Sequence, residues 1–222
     1  MIIVKELHKI YGSLVSGTHA LKGVNLRVRA GEFAAIMGRS GSGKSTLLHL
    51  LGLLDKPTRG ELYIDGKDAI ALSDEQKASF RLSRLGYVFQ EYSLVSEMSI
   101  LENVCLPAVC LGRGGNYTKK ARELLDTVGL GHRLHHYPGE VSGGEQQRAA
   151  IARALINDPA ILFADEPTAS LDMTSARVVL ELFRRLNQQL KQTIVMVTHE
   201  PEDAKFVDRV IRLEDGMVAE GA

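Results

Sequence analysis

The sequence predicts an α/β protein in which a parallel core is interrupted by a helical insertion. Short, continuous apolar runs at 33–37 and 161–164 have the character of strands that are buried on both faces, as in a parallel sheet. The first of these runs leads directly into a Gly/Ser-rich turn and then a helical segment. Strands and helices alternate up to about residue 73 and again after residue 158, whereas helices dominate in between.

The first part of the chain is rich in predicted strands. Asp65-Gly66 is typical of a turn between two of them, and Pro57 and Gly60 end the helical unit that precedes. The predicted elements are strands at 2–11, 21–28, 33–37 and 61–64, and a helix at 44–54.

The second part contains the insertion and the return of the α/β pattern. A Ser-Asp-Glu sequence at Ser73 is typical of a helix start. We predict helices at 73–85, 100–111, 118–128, 144–157, 173–190 and 202–206, and strands at 86–89, 161–164, 193–197 and 209–213. The whole chain, 1–222, is expected to be one domain, with a nucleotide-binding core and β subdomain in 1–89 and 160–222 and a helical subdomain in 90–159.

Residues 38–45 read GRSGSGKS and fit the phosphate-loop pattern G-x-x-x-x-G-K-[ST] in full. Glycines let the backbone curl so that successive N–H groups face phosphate oxygens, and the following helix adds its positive end. Lys44 can reach the β- and γ-phosphates, and the Ser45 hydroxyl can bind Mg²⁺. The loop follows a buried-type strand and precedes a helix, which is the context that the motif requires. The sequence therefore predicts a nucleotide site.

Polar residues follow three other predicted strands. Asp165 and Glu166 end an apolar strand, where a phosphate-loop ATPase needs an acid for magnesium and a group that polarises the attacking water. His199 and Gln90 each follow a strand as well. Because ligands bind at the carboxyl edge of a parallel sheet, we expect these four side chains to lie near the phosphate loop.

Composition restricts the class of protein. Lys and Arg total 27 and Asp and Glu total 27, so the chain lacks the basic excess of a dedicated nucleic-acid-binding domain, and no nucleic-acid partner is expected. No run approaches the roughly 18 apolar residues of a membrane helix, and the N-terminus does not read as a signal peptide. Cys105 and Cys110 are expected to be free, buried thiols in a reducing cytosol.

A second glycine motif lies at 142–148, where the sequence reads SGGEQQR. It resembles the signature motif of the ATP-binding-cassette (ABC) family. With the phosphate loop upstream and Asp165-Glu166 downstream, the resemblance covers nearly the whole chain. Within the family, the chain is similar to the ATPases of lipoprotein release and macrolide export, the LolD and MacB type, on the residues LGLLDKPT at 51–58, GYVFQ at 86–90 and ADEPT at 164–168. Glu145 stands where the commonest signature has Gln, and it occurs in this subfamily.

The resemblance implies a phosphate-loop NTPase fold with a RecA-like parallel core, an N-terminal antiparallel β subdomain and an inserted α-helical subdomain. It implies ATP and Mg²⁺ as cofactors, and an ATPase subunit of a transporter. It also implies a second copy of the chain as partner, in a head-to-tail dimer that holds two ATP molecules between the subunits. A membrane permease would contact 91–107, and the chain would be cytoplasmic and peripheral at the inner face of the cell membrane.

The resemblance also implies roles for individual residues. Tyr11 would stack on adenine, Asp172 would cross the dimer interface, and the signature would bind the ATP of the opposite subunit. The expected catalytic residues are Glu166 as base, His199, Gln90 and Lys44, and the expected metal ligands are Ser45, Gln90 and Asp165. The expected nucleotide-binding residues are Tyr11, Gly38, Arg39, Ser40, Gly41, Ser42, Gly43, Lys44, Ser45, Thr46, Ser142, Gly143, Gly144 and Glu145.

Three alternatives remain at this stage. The first is an ABC ATPase of the cell-division type, which regulates an extracytoplasmic process without transport. The second is a soluble ABC ATPase that acts on DNA or ribosomes, which the lack of a long coiled coil or a tandem cassette disfavours. The third is a nucleotide-binding module without turnover, which the presence of both Glu166 and His199 disfavours.

Overall fold

The computed structural model describes residues 1–12, 17–112 and 117–219. Within these ranges the chain forms a six-stranded sheet, a four-stranded sheet and six α-helices. The strands are β1 (Ile2–Tyr11), β2 (Thr18–Val28), β3 (Phe33–Met37), β4 (Arg59–Ile64), β5 (Lys67–Asp68), β6 (Leu85–Val88), β7 (Ile161–Asp165), β8 (Thr193–Thr198), β9 (Arg209–Glu214) and β10 (Met217–Val218). The helices are α1 (Lys44–Leu51), α2 (Asp74–Arg84), α3 (Ile100–Cys110), α4 (Tyr117–Thr127), α5 (Gly143–Leu155) and α6 (Met173–Leu190).

The six-stranded sheet contains the parallel core that the apolar runs predict. Its order is β10-β9-β3-β8-β7-β6, and every pairing except the β9–β10 hairpin is parallel. Met37 is in register with Thr198, and Asp165 is in register with Val197. The carboxyl ends of β3, β8 and β7 therefore meet at one edge of the sheet, which is where ligands bind in folds of this kind.

An apolar layer covers each face of this sheet. Successive residues of a strand point to opposite faces. Phe33 and Ala35 of β3 accordingly belong to the cluster that includes residues of α3, α5 and α6, whereas Ala34 and Ile36 belong to the cluster that includes α1 and the four-stranded sheet. Because both faces are covered, β3 is apolar throughout.

The four-stranded sheet is antiparallel and has the order β2-β1-β4-β5. Its last hairpin turns at Asp65 and Gly66, with φ angles of 51° and 79°. Two consecutive positive φ values are typical of the tight turns that match the twist of a hairpin. The turn that Asp65-Gly66 predicts is therefore present, and it connects β4 to a short strand that the sequence pattern did not reveal.

The stretch between β6 and β7 is helical, as predicted, and it contains α3, α4 and α5. Asn103 of α3 is fully buried, and its amide exchanges hydrogen bonds with the backbone of Val95 at 2.7 and 3.0 Å and also donates to Met98 and Ser99. This side chain fixes the loop between β6 and α3 onto the helix. The division of the chain at residues 90 and 159 stays a prediction. Among the helices of the described residues, none has both the length and the apolar character that a membrane crossing requires.

The bounds of several predicted elements differ from the observed ones by one to three residues, and β2 begins at Thr18 instead of residue 21. α1 ends at Leu51 instead of residue 54, because Leu53 takes a φ of 60° that a helix cannot contain. The predicted helix at 202–206 is a 3₁₀ segment, Pro201–Phe206. β5 and β10 have two residues each, which is too short for a periodic pattern to indicate.

The two cysteines lie on different faces of α3, and both are free. Cys105 is buried and Cys110 is exposed. The expectation that both thiols are buried is therefore wrong for Cys110. Five residues correspond to a rotation of about 140° around a helix, so the helix turns Cys110 away from the face that packs on the core.

The contact between α6 and the core sheet is expected to dominate the stability of this region. Phe183 is fully buried, and its ring lies 6.3 Å from that of Phe33. We expect Phe183→Ala to lower the free energy of unfolding by about 3–5 kcal/mol, because it leaves a cavity. Val178→Ala, on the exposed side of the same helix, should change it by less than about 0.5 kcal/mol. Equal denaturant midpoints for the two variants would contradict this prediction.

Candidate active site

The phosphate loop connects the end of β3 to the first residue of α1, as the motif predicts. Gly41 and Gly43 have φ angles of 78° and 100°, in the left-handed region that favours glycine. Gly43 is the N-cap residue of α1, and the helix begins at Lys44. The loop thus lies at the positive end of a helix, where a phosphate binds readily.

Glycine is also required in the loop because neighbouring strands lie close to it. A Cβ atom at Gly38 would overlap the carbonyl oxygen of Leu213 on β9 and would lie 2.7 Å from Ser42 Oγ. A Cβ atom at Gly43 would lie 2.5 Å from the carbonyl oxygen of Ala20 on β2. The loop is therefore held between β9 and β2, which gives it a fixed shape.

Lys44 and Ser42 supply the polar groups of this loop. Lys44 is only 7% exposed, and its Nζ donates to the carbonyl oxygens of Gly38 at 3.0 Å and Arg39 at 3.1 Å. The ammonium group therefore lies over the loop, next to any anion that binds there. Ser42 Oγ is buried and has no hydrogen-bond partner among the described residues. Buried hydroxyls are normally paired, so this one fits a loop that receives a polar ligand.

Asp165 ends β7 beside the start of α1. Its Oδ1 accepts a hydrogen bond from Ser45 Oγ at 3.4 Å, and its Oδ2 lies 3.7 Å from His49 Nε2. Burial raises the pKa of Asp165, an effect that His49 opposes and the neighbouring Glu166 reinforces. Hydroxyl and carboxylate oxygens are the ligands that hard divalent cations prefer, and a cation at this position would favour the ionised form of the acid.

Glu166 and His199 are brought together at the edge of the sheet. His199 Nδ1 lies 3.2 Å from Glu166 Oε2, and its Nε2 lies 3.3 Å from Glu200 Oε1. Glu166 has a φ of 43°, which is strained for a residue with a side chain. Its N–H donates to the carbonyl oxygen of Val197 at 2.9 Å, and this bond holds the strained residue against β8.

Gln90 follows β6 at the same edge, since Val88 is in register with Ala164. Its side chain is exposed and, among the described residues, is not one of those that line the clefts discussed below. The next residues are fixed from α5, because the guanidinium of Arg153 donates to the carbonyl oxygens of Tyr92 and Ser93. The structure therefore places Gln90 near the site without showing a contact to Asp165 or Glu166.

The signature motif forms the N-terminus of α5. Ser142 is the N-cap residue, and it exchanges hydrogen bonds with Glu145, whose carboxylate also pairs with Arg133 at 3.1 Å. The glycines of the motif lie against other parts of the same chain. A Cβ atom at Gly143 would lie 2.7 Å from Tyr92 Oη, and one at Gly144 would meet Ser175 of α6. The motif is thus a helix start beside the start of α6, in which Ser142 is exposed and Gly144 is buried.

Tyr11 is the last residue of β1 and lies opposite Thr18 of β2. Its hydroxyl donates to Asp55 Oδ2 at 2.9 Å, and Lys9 Nζ lies 4.7 Å from the centre of its ring. Lys9 also pairs with Asp55 at 2.6 Å. The hydroxyl and the cation fix the orientation of the ring, which remains 44% exposed. Stacking of this ring on adenine stays a prediction.

Two adjoining clefts surround the phosphate loop. A cleft of about 590 Å³ is lined by the loop, by Glu166 and His199, and by Thr18, His19 and Ala20 of β2. A cleft of about 860 Å³ lies on the β9 side of the loop and shares Ser40, Gly41 and His199 with the first. The three β2 residues are not predicted from the sequence, because nothing in their local pattern indicates a ligand. Pairing of β2 with β1 brings them to the loop.

The family of the chain follows from comparison with known proteins. A family model described as "ABC transporter" matches residues 21–169. The chain belongs to the ABC transporter family. It is 48% identical to the lipoprotein-releasing system ATP-binding protein LolD of Geobacter metallireducens, over 98% of this chain and 97% of that protein. It is 51% identical to the macrolide export ATP-binding/permease protein MacB of Chlorobium luteolum, over 96% of this chain but only 32% of that protein.

A solved ABC structure has the same fold. The ATP-binding cassette MJ0796, in a dimeric post-hydrolysis state bound to ADP and Pi, matches with a TM-score of 0.91 and 42% identity, over 99% of this chain and 97% of that chain. The predicted family and the predicted fold class are thereby confirmed. The chain is an ABC ATPase of the group that includes the LolD and MacB ATP-binding proteins, and it binds ATP.

Substitution in the phosphate loop is expected to weaken nucleotide binding. A Cβ atom at Gly38 would overlap Leu213, so Gly38→Ala should displace the loop. Overpacking of this kind costs about 1–3 kcal/mol, and the same free energy lost from ATP binding corresponds to about a fivefold to 150-fold lower affinity. Gly139→Ala is a matched control, because a Cβ atom there meets no atom within 4 Å. Titration with a fluorescent ATP analogue measures both variants, and wild-type affinity in Gly38→Ala would contradict the prediction.

Proposed function

We propose that the chain hydrolyses ATP as a head-to-tail dimer, with each ATP between the phosphate loop of one copy and the signature motif of the other. The separation of these two elements carries the proposal. Among the described residues, those lining the two clefts come from the phosphate loop and its neighbours, whereas Ser142 to Glu145 line neither cleft and lie beside α6. A second copy, rotated by two-fold symmetry, would bring its signature to the cleft. MJ0796, which is 42% identical, is dimeric.

Glu166 is the proposed base. Its carboxylate lines the same cleft as Lys44 and Ser45, and the contact with His199 Nδ1 at 3.2 Å orients it. The carboxylate would accept a proton from water as the water oxygen attacks the γ-phosphorus in line. The bond from that phosphorus to the bridging oxygen then breaks, and ADP and phosphate are formed. Lys44 and the signature N–H groups of the partner would stabilise charge on the transferring group.

The donor set beside the loop fits a magnesium ion. Ser45 Oγ and Asp165 Oδ1 lie 3.4 Å apart, and Gln90 is held at the same edge of the sheet. When bound, Mg²⁺ would neutralise charge on the β- and γ-phosphates. Asp165 would hold the ion either directly or through the Ser45 hydroxyl, and Gln90 would offer its amide oxygen.

A permease subunit is the proposed membrane partner. An apolar groove of about 470 Å³ runs between α2, β6, α3 and α5. Leu54, Phe89, Leu106 and Pro107 are among the residues that line it, and it borders the predicted docking segment 91–107. A short amphipathic helix from a cytoplasmic loop of the permease would fill such a groove. Because the groove adjoins the loop that carries Gln90, movement of the docked permease helix would shift that loop and so change the position of Gln90 at the ATP site.

The location and transport role follow from this partner. We infer that the chain is cytoplasmic and peripheral at the inner face of the cell membrane, where it drives lipoprotein release or export. The relatives named LolD and MacB support this assignment. The permease would select the transported molecule, since the described part of this chain contributes the ATP site and the groove.

Glu166→Gln provides the test of the catalytic proposal. Loss of a general base costs about a hundredfold to ten-thousandfold in turnover, so we expect kcat to fall by at least about a hundredfold. Because dimer closure requires ATP but not hydrolysis, gel filtration with ATP and Mg²⁺ should trap this variant as a dimer, and EDTA should release it. Glu202→Gln, an exposed acid of the nearby 3₁₀ segment, is the control and should keep wild-type turnover. Wild-type turnover in Glu166→Gln would exclude Glu166 as the base.

Cys110 allows the groove to be tested without a substitution in the ATP site. This exposed thiol lines the groove, whereas Cys105 is buried. Alkylation with a bulky maleimide should abolish association with the permease and permease-stimulated turnover, while basal ATPase activity stays within about twofold of wild type. Cys110→Ser, treated with the same reagent, should be unaffected. Normal association of the alkylated chain would contradict docking in this groove.

A further inference from the structure

Asp203 is a buried carboxylate that has no part in the proposed hydrolysis of ATP. It lies in the 3₁₀ segment Pro201–Phe206 and is only 3% exposed. Burying a carboxylate is costly unless it is hydrogen-bonded, and burial raises the pKa of Asp203. A leucine would fill a similar volume without that cost. The hydrogen bonds that Asp203 accepts are therefore the feature that a leucine could not replace.

Asp203 joins the two loops that carry the proposed base and the histidine. Its Oδ2 accepts a hydrogen bond from Thr198 Oγ1 at 2.6 Å and another from Thr168 Oγ1 at 3.3 Å. Thr198 directly precedes His199, and Thr168 follows Glu166 by two residues. A single oxygen atom thus sets the distance between the loop after β7 and the loop after β8.

Further hydrogen bonds connect the two threonines to the turns that contain His199 and Glu166. Thr198 Oγ1 also accepts from Glu200 N–H at 3.0 Å, so the hydroxyl orients the turn that contains His199. On the other side, Ala169 N–H donates to the Glu166 carbonyl oxygen at 3.2 Å, which closes the turn that contains Thr168. Each loop is short and internally bonded, so a shift of either threonine would move its neighbour in the site.

We propose that Asp203 is a positioning residue for ATP hydrolysis, which holds Glu166 and His199 at their contact distance through Thr168 and Thr198. The inference rests on the proposed function, because it takes Glu166 as the base. Asp203 is not one of the described residues that line the two clefts, so ATP binding should not depend on it. Turnover does, because a misplacement of about 1 Å can cost about a hundredfold in rate.

The test compares Asp203→Leu with Asp203→Asn in the purified full-length chain. Asparagine can place its carbonyl oxygen where Oδ2 lies and accept both hydroxyls, whereas leucine can accept neither. We expect Asp203→Leu to lower kcat by about tenfold to a hundredfold with KM for ATP within about twofold of wild type. Asp203→Asn should retain kcat within about threefold. Thr198→Val, which removes one donor, should reproduce most of the loss and should not add to that of Asp203→Leu.

A matched control separates positioning from stability. Asn187 of α6 is 5% exposed and donates two partly buried hydrogen bonds, to the carbonyl oxygens of Gly31 and Gln192, at the opposite, amino edge of the core sheet. Asn187→Leu should lower the melting temperature without lowering kcat. If Asp203→Leu behaves like Asn187→Leu, or if Asp203→Asn loses as much kcat as Asp203→Leu, the proposal is wrong. Should Asp203→Leu fail to fold, Asp203→Asn and Thr198→Val still decide the question.

The parallel assay of Glu166→Gln distinguishes the two proposals. Loss of turnover in Glu166→Gln with normal kcat in Asp203→Leu would overturn only the positioning role. Normal turnover in Glu166→Gln would overturn the proposed function on which that role rests.

Discussion

The register of three parallel strands is the constraint on which the rest of the site depends. Met37 of β3 lies opposite Thr198 of β8, and Val197 lies opposite Asp165 of β7. This pairing brings residues that are distant in the sequence to one edge, so that the phosphate loop, the acid pair and His199 meet. Since side chains alternate along a strand, a shift of one residue would turn Asp165 toward the opposite face of the sheet. The burial of β3, β7 and β8 on both faces makes such a shift costly.

The edge of the sheet is also where backbone strain is stored. Glu166 has a positive φ, and the turn that follows it is held from several sides. Gln147 of the signature helix, fully buried, donates to the carbonyl oxygen of Pro167 at 2.8 Å, and Asp203 accepts from Thr168 at 3.3 Å. Strained residues persist only where the surroundings over-determine them. The signature helix and the 3₁₀ segment after β8 therefore both act on the turn that carries the proposed base.

The sequence predicts the features that depend on local pattern, and it does not predict the contacts between residues that are distant in the chain. The phosphate loop, the core strands and the start of α5 close to residue 144 follow from local sequence chemistry, and the predictions of the parallel core and of the family are confirmed. The hydrogen bond from Tyr11 to Asp55, the contact of His49 with Asp165 and the role of Asp203 join residues whose spacing carries no periodic signal. They arise only once strands and helices pack. Predictions for individual site residues therefore identify the groups of the site but not the contacts that orient them.

The signature motif is expected to face a phosphate, and an unpaired Glu145 carboxylate in that motif would repel the phosphate. Both carboxylate oxygens are engaged, one by the N–H and hydroxyl of Ser142 and the other by Arg133 at 3.1 Å. The Ser142 N–H, together with Arg133, holds the pKa of Glu145 below its ordinary value, so the group remains ionised and paired. The guanidinium offsets the negative charge at the helix start, and the capping box places the Glu145 carboxylate against Ser142 at the N-terminus of α5. A glutamate in this place is thus compatible with anion binding as long as Arg133 accompanies it.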